Sequence, residues 1–175
     1  MKKNILGLFI LTIILMSATC ESSKKTTSTP SNPNEETTGE TPSVGEEKVT
    51  MLVNFTTTDD INAALAKAKR TDKVVFIDFY TTWCAPCKVM EQSVFLDEDV
   101  ANYMNENCIC VRVNAEKGKG PDRKIEYAVD AYPTMLFYAP NGDEVARRQG
   151  SLGIEAFKQF MKASVWKARN PSGKP

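Results

Sequence analysis

The chain has 175 residues, a formal net charge of +0 and no histidine. These facts exclude a strong electrostatic pull toward nucleic acid or acidic lipid, any Ser-His-Asp or Cys-His nucleophile system, and any histidine-ligated metal. The length suits one ordinary domain plus additional sequence, and the 5 cysteines, at positions 20, 84, 87, 108 and 110, form an odd set in which at least one needs a separate fate.

In chain order, Lys2 and Lys3 make a short basic start, and Ile5 to Met16 is apolar except for Thr12. That run is roughly half to two-thirds of the ~20 apolar residues a spanning helix needs, and it reads as the core of a secretory signal over residues 1–20. Ser17, Ala18 and Thr19 then lead to Cys20, which resembles the lipid-attachment cysteine of bacterial lipoproteins, although Ser17 and Thr19 depart from the usual residues there. Plain cleavage or an uncleaved anchor are the alternatives. Residues 21–49 are rich in Ser, Thr, Pro and Glu. They cannot bury enough apolar surface to offset ordering, so a disordered tether with a reach of roughly 30 Å is expected.

The composition changes near residue 50, where the domain is expected to begin and to run to 168, leaving 169–175 as a flexible tail. Met51 to Phe55 reads as a short strand. Thr58 followed by Asp59 and Asp60 reads as a helix N-cap with acids in the first turn, and Ile61, Ala64, Leu65 and Ala68 share one face of that helix. Val74 to Tyr80 is nearly all apolar, the pattern of a central strand covered on both faces, with Asp78 as its anomaly. A helix from about Cys84 to Ser93 follows, then one over Asp99 to Asn105 and a strand over Ile109 to Asn114. Glu116 to Arg123 reads as a loop and Lys124 to Val129 as a short helix. Thr134 to Tyr138 and Glu144 to Arg148 read as strands joined at Asn141-Gly142. Ile154 to Trp166 carries Phe157, Phe160, Met161 and Val165 as a closing amphipathic helix. The order β-α-β-α-(α)-β-α-β-β-α predicts an α/β fold, a mixed central sheet with helices on both faces.

Cys84 and Cys87 stand where the central strand gives way to a helix. A helix N-terminus stabilises a thiolate, and the thiolate is the attacking species in disulfide exchange. The spacing puts Cys87 one turn along the same face, able to resolve a mixed disulfide. Pro86 stiffens the first turn, where a missing N–H costs little. Cys84 is therefore expected to be the exposed nucleophile. A structural pair or half of a zinc site are the competing readings. Zinc wants two further ligands, and the Cys-x-Cys spacing of Cys108 and Cys110 suits it poorly; these two read as buried apolar residues on one side of their strand.

Phe79-Tyr80-Thr81-Thr82-Trp83-Cys84-Ala85-Pro86-Cys87-Lys88 resembles the active-site segment of thioredoxins. Asp78, six residues before Cys84, matches their buried aspartate; Tyr132-Pro133-Thr134 resembles their cis-proline segment; Gly142 and Gly150 fall at two of their usual glycines. The resemblance spans about Met51 to Ala168 and implies a thioredoxin fold. Lys88-Val89-Met90-Glu91, Val94-Phe95-Leu96-Asp97 and the helix after Asp99 are also similar to the C-terminal periplasmic domain of transmembrane thiol–disulfide interchange reductases.

The resemblance implies a redox disulfide Cys84–Cys87 and a substrate surface at Trp83, Tyr132, Pro133 (after a cis bond) and Thr134. Asp78 is either a satisfied buried carboxylate or the proton acceptor for Cys87, the role the resemblance favours, and Arg112 occupies the place of a lysine that approaches it. Ala85 replaces the usual glycine, and Thr81 and Thr82 are neutral where acids are common. No histidine stands between the cysteines, which argues for a reducing couple.

The expected function is an exported protein-disulfide oxidoreductase, reductase before isomerase or oxidase, on the periplasmic side and held by a lipid anchor at Cys20. Its expected partners are disulfide-containing or thiol client proteins and a transmembrane electron donor, with no nucleic acid, no metal, no cofactor and a monomeric state. A binding module with little turnover and a net oxidase are the rival readings.

Overall fold

The computed structural model describes residues 50–173. The signal reading of 1–20, lipidation at Cys20 and the tether of 21–49 lie outside the described residues. Helix α1 (Ile61–Thr71) leads into strand β1 (Val74–Tyr80), then α2 (Ala85–Gln92), a 3-10 turn over Val94–Leu96, α3 (Glu98–Asn107), β2 (Cys108–Asn114), α4 (Gly120–Glu126), β3 (Thr134–Tyr138), β4 (Glu144–Gln149) and α5 (Ile154–Arg169). The sheet order is β2-β1-β3-β4; β1 pairs parallel to β2 and antiparallel to β3, which pairs antiparallel to β4. This is the thioredoxin fold. Among the described residues no helix is long and apolar enough to cross a membrane.

The period of two along β1 divides the core. Val74 and Phe76 point to one face, packed with Met90 of α2, Val100 and Met104 of α3, and Phe157, Met161 and Val165 of α5. Val75, Ile77 and Phe79 point to the other, packed with Ile61, Ala64 and Ala68 of α1. Covered on both sides, β1 has no use for alternation, which is why it reads as an unbroken apolar run. Phe76 is an aromatic hub, with ring centroids 4.9 Å from Phe137, 5.8 Å from Phe157 and 6.3 Å from Phe55 and Phe95. Each such pair contributes about 0.5–1.5 kcal/mol beyond area burial.

The structure departs from the sequence expectations at four edges. The cap of α1 is Asp60, whose carboxylate accepts from Ala63 N at 3.0 Å, so the acids precede the first turn and Thr58 lies outside the helix. Met51 to Phe55 forms only one parallel bridge, Phe55 to Cys110, because Leu52 N and Val53 N both donate to Phe95 O and turn the segment across the helices. Helix α4 begins at Gly120, inside the stretch expected to be loop, and ends at Glu126, short of the expected end at Val129. Pro121 suits its first turn, and Ala128, in the left-handed region at φ 48°, stops it before Val129. Helix α5 reaches Arg169, since Ala168 is buried and Arg169 donates to Asn107 Oδ1 at 2.9 Å.

Candidate active site

Strand β1 ends at Tyr80, and the turn Thr81–Trp83 delivers Cys84 to the N-cap of α2. Cys84 has extended backbone (φ −72°, ψ 100°), and its Sγ accepts from Cys87 N at 3.1 Å. That is the contact an N-cap side chain makes, here with sulfur as acceptor. Pro86 stands in the first turn and Cys87 on the inward face of the helix. The two cysteines are joined as a disulfide with Cα atoms 5.3 Å apart.

Cys84 is only 3% exposed and Cys87 2%, so the expectation of an exposed nucleophile is corrected for this oxidised form. The asymmetry of access survives: Cys84, but not Cys87, lines an open depression of about 280 Å³ together with Trp83, Pro86 and Tyr132. A thiol or disulfide approaching from solvent therefore meets Cys84 first.

The Tyr132-Pro133 peptide is cis. Pro133 and Thr134 are buried, and the Thr134 hydroxyl donates to Ala131 O at 2.7 Å. The Trp83 ring is 66% exposed, meets Tyr132 edge to face at 6.1 Å between centroids, and donates through Nε1 to both oxygens of Glu116 at 2.9 and 3.0 Å. Large apolar rings left open beside a disulfide form a surface that a polypeptide can cover.

Strand register sets a charged cluster between β1, β2 and α2. Asp78 shares the face of β1 that carries Val74 and Phe76, and its partner across the parallel pairing with β2 is Arg112. Arg112 Nε donates to Asp78 Oδ2 at 2.9 Å and its Nη2 to Glu91 Oε1 of α2 at 2.6 Å. The guanidinium also lies 4.0 Å from the centroid of the Tyr80 ring. Asp78 is 1% exposed, and its Oδ1 and the buried Thr81 hydroxyl have no hydrogen-bond partner among the described residues. Burial raises the Asp78 carboxyl above its ordinary range, and the Arg112 cation opposes that rise without cancelling it. A buried carboxyl of this kind can hold or accept a proton.

Cys108 and Cys110 are free thiols in the core on one face of β2. Burial pushes the Cys108 thiol up to about 12 and Cys110 well above the ordinary value. Of the residues expected at the site, Trp83, Cys84 and Tyr132 line one opening, Asp78, Cys87, Pro133 and Thr134 are buried, and Cys108 and Cys110 lie on β2 apart from the opening. Sequence reasoning assigned no role to Glu91 or Glu116. The first was detectable as the residue four after Cys87, hence on the same helical face; nothing local marks the second.

Residues 54–140 match a family model described as thioredoxin-like. The Thiol:disulfide interchange protein DsbD 1 of Pseudomonas aeruginosa is 34% identical over 93 residues, covering 52% of this chain and 16% of that protein. DsbD of Salmonella typhi is 32% identical over 116 residues, covering 62% and 20%. The chain therefore spans about a fifth or less of the length of these relatives. A Bacteroides thetaiotaomicron protein provisionally described as a disulphide-isomerase has a solution structure similar to this one at a TM-score of 0.57 and 35% identity, covering 65% of this chain and 93% of that one.

Proposed function

From a chain that belongs to the thioredoxin-like thiol–disulfide oxidoreductase family, we propose an exported protein-disulfide reductase that works through Cys84 and Cys87. One observation carries this reading: the disulfide caps a helix N-terminus, and Cys84 lines a depression whose wall includes Tyr132 of the cis peptide.

In the reduced protein the Cys84 thiolate attacks one sulfur of a client disulfide. The client S–S bond breaks, a Cys84–client disulfide forms, and the other client sulfur leaves as thiolate. Cys87 gives its proton to Asp78, attacks Cys84 Sγ and closes the protein disulfide as the second client sulfur leaves. Two electrons pass from protein to client. Asp78 suits the proton step because Oδ1 is unpartnered and burial raises its affinity for a proton. Trp83, Tyr132, Pro133 and Thr134 hold the client segment: the rings supply apolar surface, and the chain at Pro133 offers backbone groups to an extended strand.

The next turnover needs a dithiol donor, and an oxidising compartment makes a transmembrane donor the fitting partner. The basic start, the short apolar run and Cys20 support export with a lipid anchor; fatty-acid labelling lost in Cys20→Ser is the expected result. The provisional naming of the Bacteroides protein favours an isomerase as the second reading. Insulin reduction with a dithiol donor, together with equilibration against glutathione, separates the two. A reductase gives turnover and a potential near that of thioredoxin, roughly −270 mV, whereas a value at or above the roughly −180 mV of the isomerases refutes it.

A further inference from the structure

Arg147 of β4 lies outside the redox centre, yet it is tied to the loop that carries the cis peptide. Its Nη2 donates to Tyr127 O at 3.0 Å and its Nη1 to Ala128 O at 3.3 Å. Its own position is fixed by Glu144, which accepts from Nε at 2.8 Å and from Nη2 at 2.9 Å and is held in turn by the Tyr138 hydroxyl at 2.8 Å. Two residues on, and so on the same face of β4, Gln149 donates to Asp130 Oδ1 at 2.5 Å. Gly150 N donates to Pro133 O at 2.8 Å. The loop from Tyr127 to Pro133 is therefore stitched to one edge strand along its length.

The stitching has something to hold. Ala128, at φ 48°, is the left-handed residue that closes α4, with Ala128 N donating to Ile125 O at 3.1 Å and Val129 N to Lys124 O at 2.7 Å, so the helix end sets the backbone up to Val129 and leaves the next residues to other ties. Asp130 and Ala131 are exposed and bring no core packing of their own, while Asp130, Ala131 and Tyr132 form one wall of the depression at Cys84. A planar fork that spans two successive carbonyls suits this task, and a lysine could reach only one of them in the same way.

We propose that Arg147 is a positioning residue for client proteins: by holding the Tyr127 and Ala128 carbonyls it fixes the 130–133 wall against which a polypeptide docks, with Gln149 as its second tie. This rests on the oxidoreductase reading. It divides substrates by size. A protein disulfide needs the wall, whereas a small aromatic disulfide needs only the sulfurs.

The test compares Arg147→Gln, Arg147→Lys and Gln149→Ala with the wild type in the full chain. For insulin reduction, KM rises about tenfold in Arg147→Gln with kcat within twofold, and it rises less in Arg147→Lys and Gln149→Ala. Reduction of 5,5′-dithiobis(2-nitrobenzoate) and the reduction potential stay unchanged. Amide hydrogen exchange at residues 128–131 quickens while β1 and β3 keep their protection. Unchanged exchange at 128–131, an unchanged insulin KM, or parallel losses on insulin and the small disulfide would each overturn the inference. Exchange is read without any substrate, so it tests the brace even if the chain has no reductase activity. An inactive wild type would overturn the oxidoreductase reading and the client role with it, whereas an active wild type with unaltered variants would overturn this inference alone.

Discussion

In the proposed mechanism Asp78 is the proton acceptor, and its burial also sets a pH dependence of stability. Burial favours its protonated form and Arg112 at 2.9 Å favours the carboxylate; burial prevails, so the folded carboxyl titrates above the ordinary 3.8. The folded chain then keeps a proton that the unfolded chain has released. That contribution to stability is complete below about 3.8 and is lost as pH rises through the folded value. Urea midpoints measured from pH 3 upward should therefore fall for the wild type relative to Asp78→Asn across this window. A relative gain would mean that the Arg112 pair dominates. The same variant should slow insulin reduction about a hundredfold, the lower end of what a positioned proton acceptor contributes, with the mixed disulfide accumulating. Cys108 and Cys110 make a contrasting case. They are thiols without thiolate character, buried and pushed up by desolvation. Iodoacetamide applied to the reduced, folded protein at pH 8 should label Cys84 and spare both, and labelling that precedes unfolding would contradict their burial.

At the scale of elements, α4 is where a single atom decides the structure. Gly120 opens the helix so close to β2 that a Cβ there would overlap the Asn114 carbonyl. Backbone cannot swing aside as a long side chain can, so Gly120→Ala should cost about 2 kcal/mol of stability, within the range for overpacked sites. Chemical denaturation of the oxidised protein measures it. This contact explains why the stretch reads as loop from sequence: glycines and lysines suggest solvent, whereas Gly120 is present for a close approach that only the folded β2 creates. The elements legible in advance are those whose signal is local. Val74 to Tyr80 shows its two-sided burial in composition, Ile154 onward shows a helical stripe, and Cys84 to Cys87 shows a helix start. The single bridge at Phe55 was not legible, because two donors to Phe95 O redirect a segment that is apolar enough to be a strand. At the site, Asp78 and Pro133 could be placed by resemblance. Glu116 reaches Trp83 across 33 positions and Arg147 reaches Ala128 across 19, and such pairings exist only after the sheet has closed.

The whole molecule links redox direction to stability through one thermodynamic cycle. The dithiol and disulfide forms each fold and unfold, so the difference between their folding free energies equals the difference between the potentials of the folded and unfolded couples. Here the disulfide joins cysteines at the start of α2 whose Cα atoms are 5.3 Å apart, inside the range a disulfide spans. In the disulfide form both residues are almost wholly buried, and the chain has no histidine that could stabilise a thiolate once the bond opens. The N-terminus of α2 acts the other way by favouring a Cys84 thiolate. If burial of the uncharged disulfide outweighs that helix end, the fold stabilises the disulfide and the couple is reducing. The scale is large enough to read: ~30 mV corresponds to about 1.4 kcal/mol, so the roughly 150 mV between thioredoxin and a strongly oxidising couple near roughly −120 mV spans about 7 kcal/mol. Oxidised protein should therefore unfold at distinctly higher urea than protein held in excess dithiol, at the same pH and with the same slope. A reduced form that outlasts the oxidised one would place the helix end in command and make the chain an oxidant, whatever its rate with insulin.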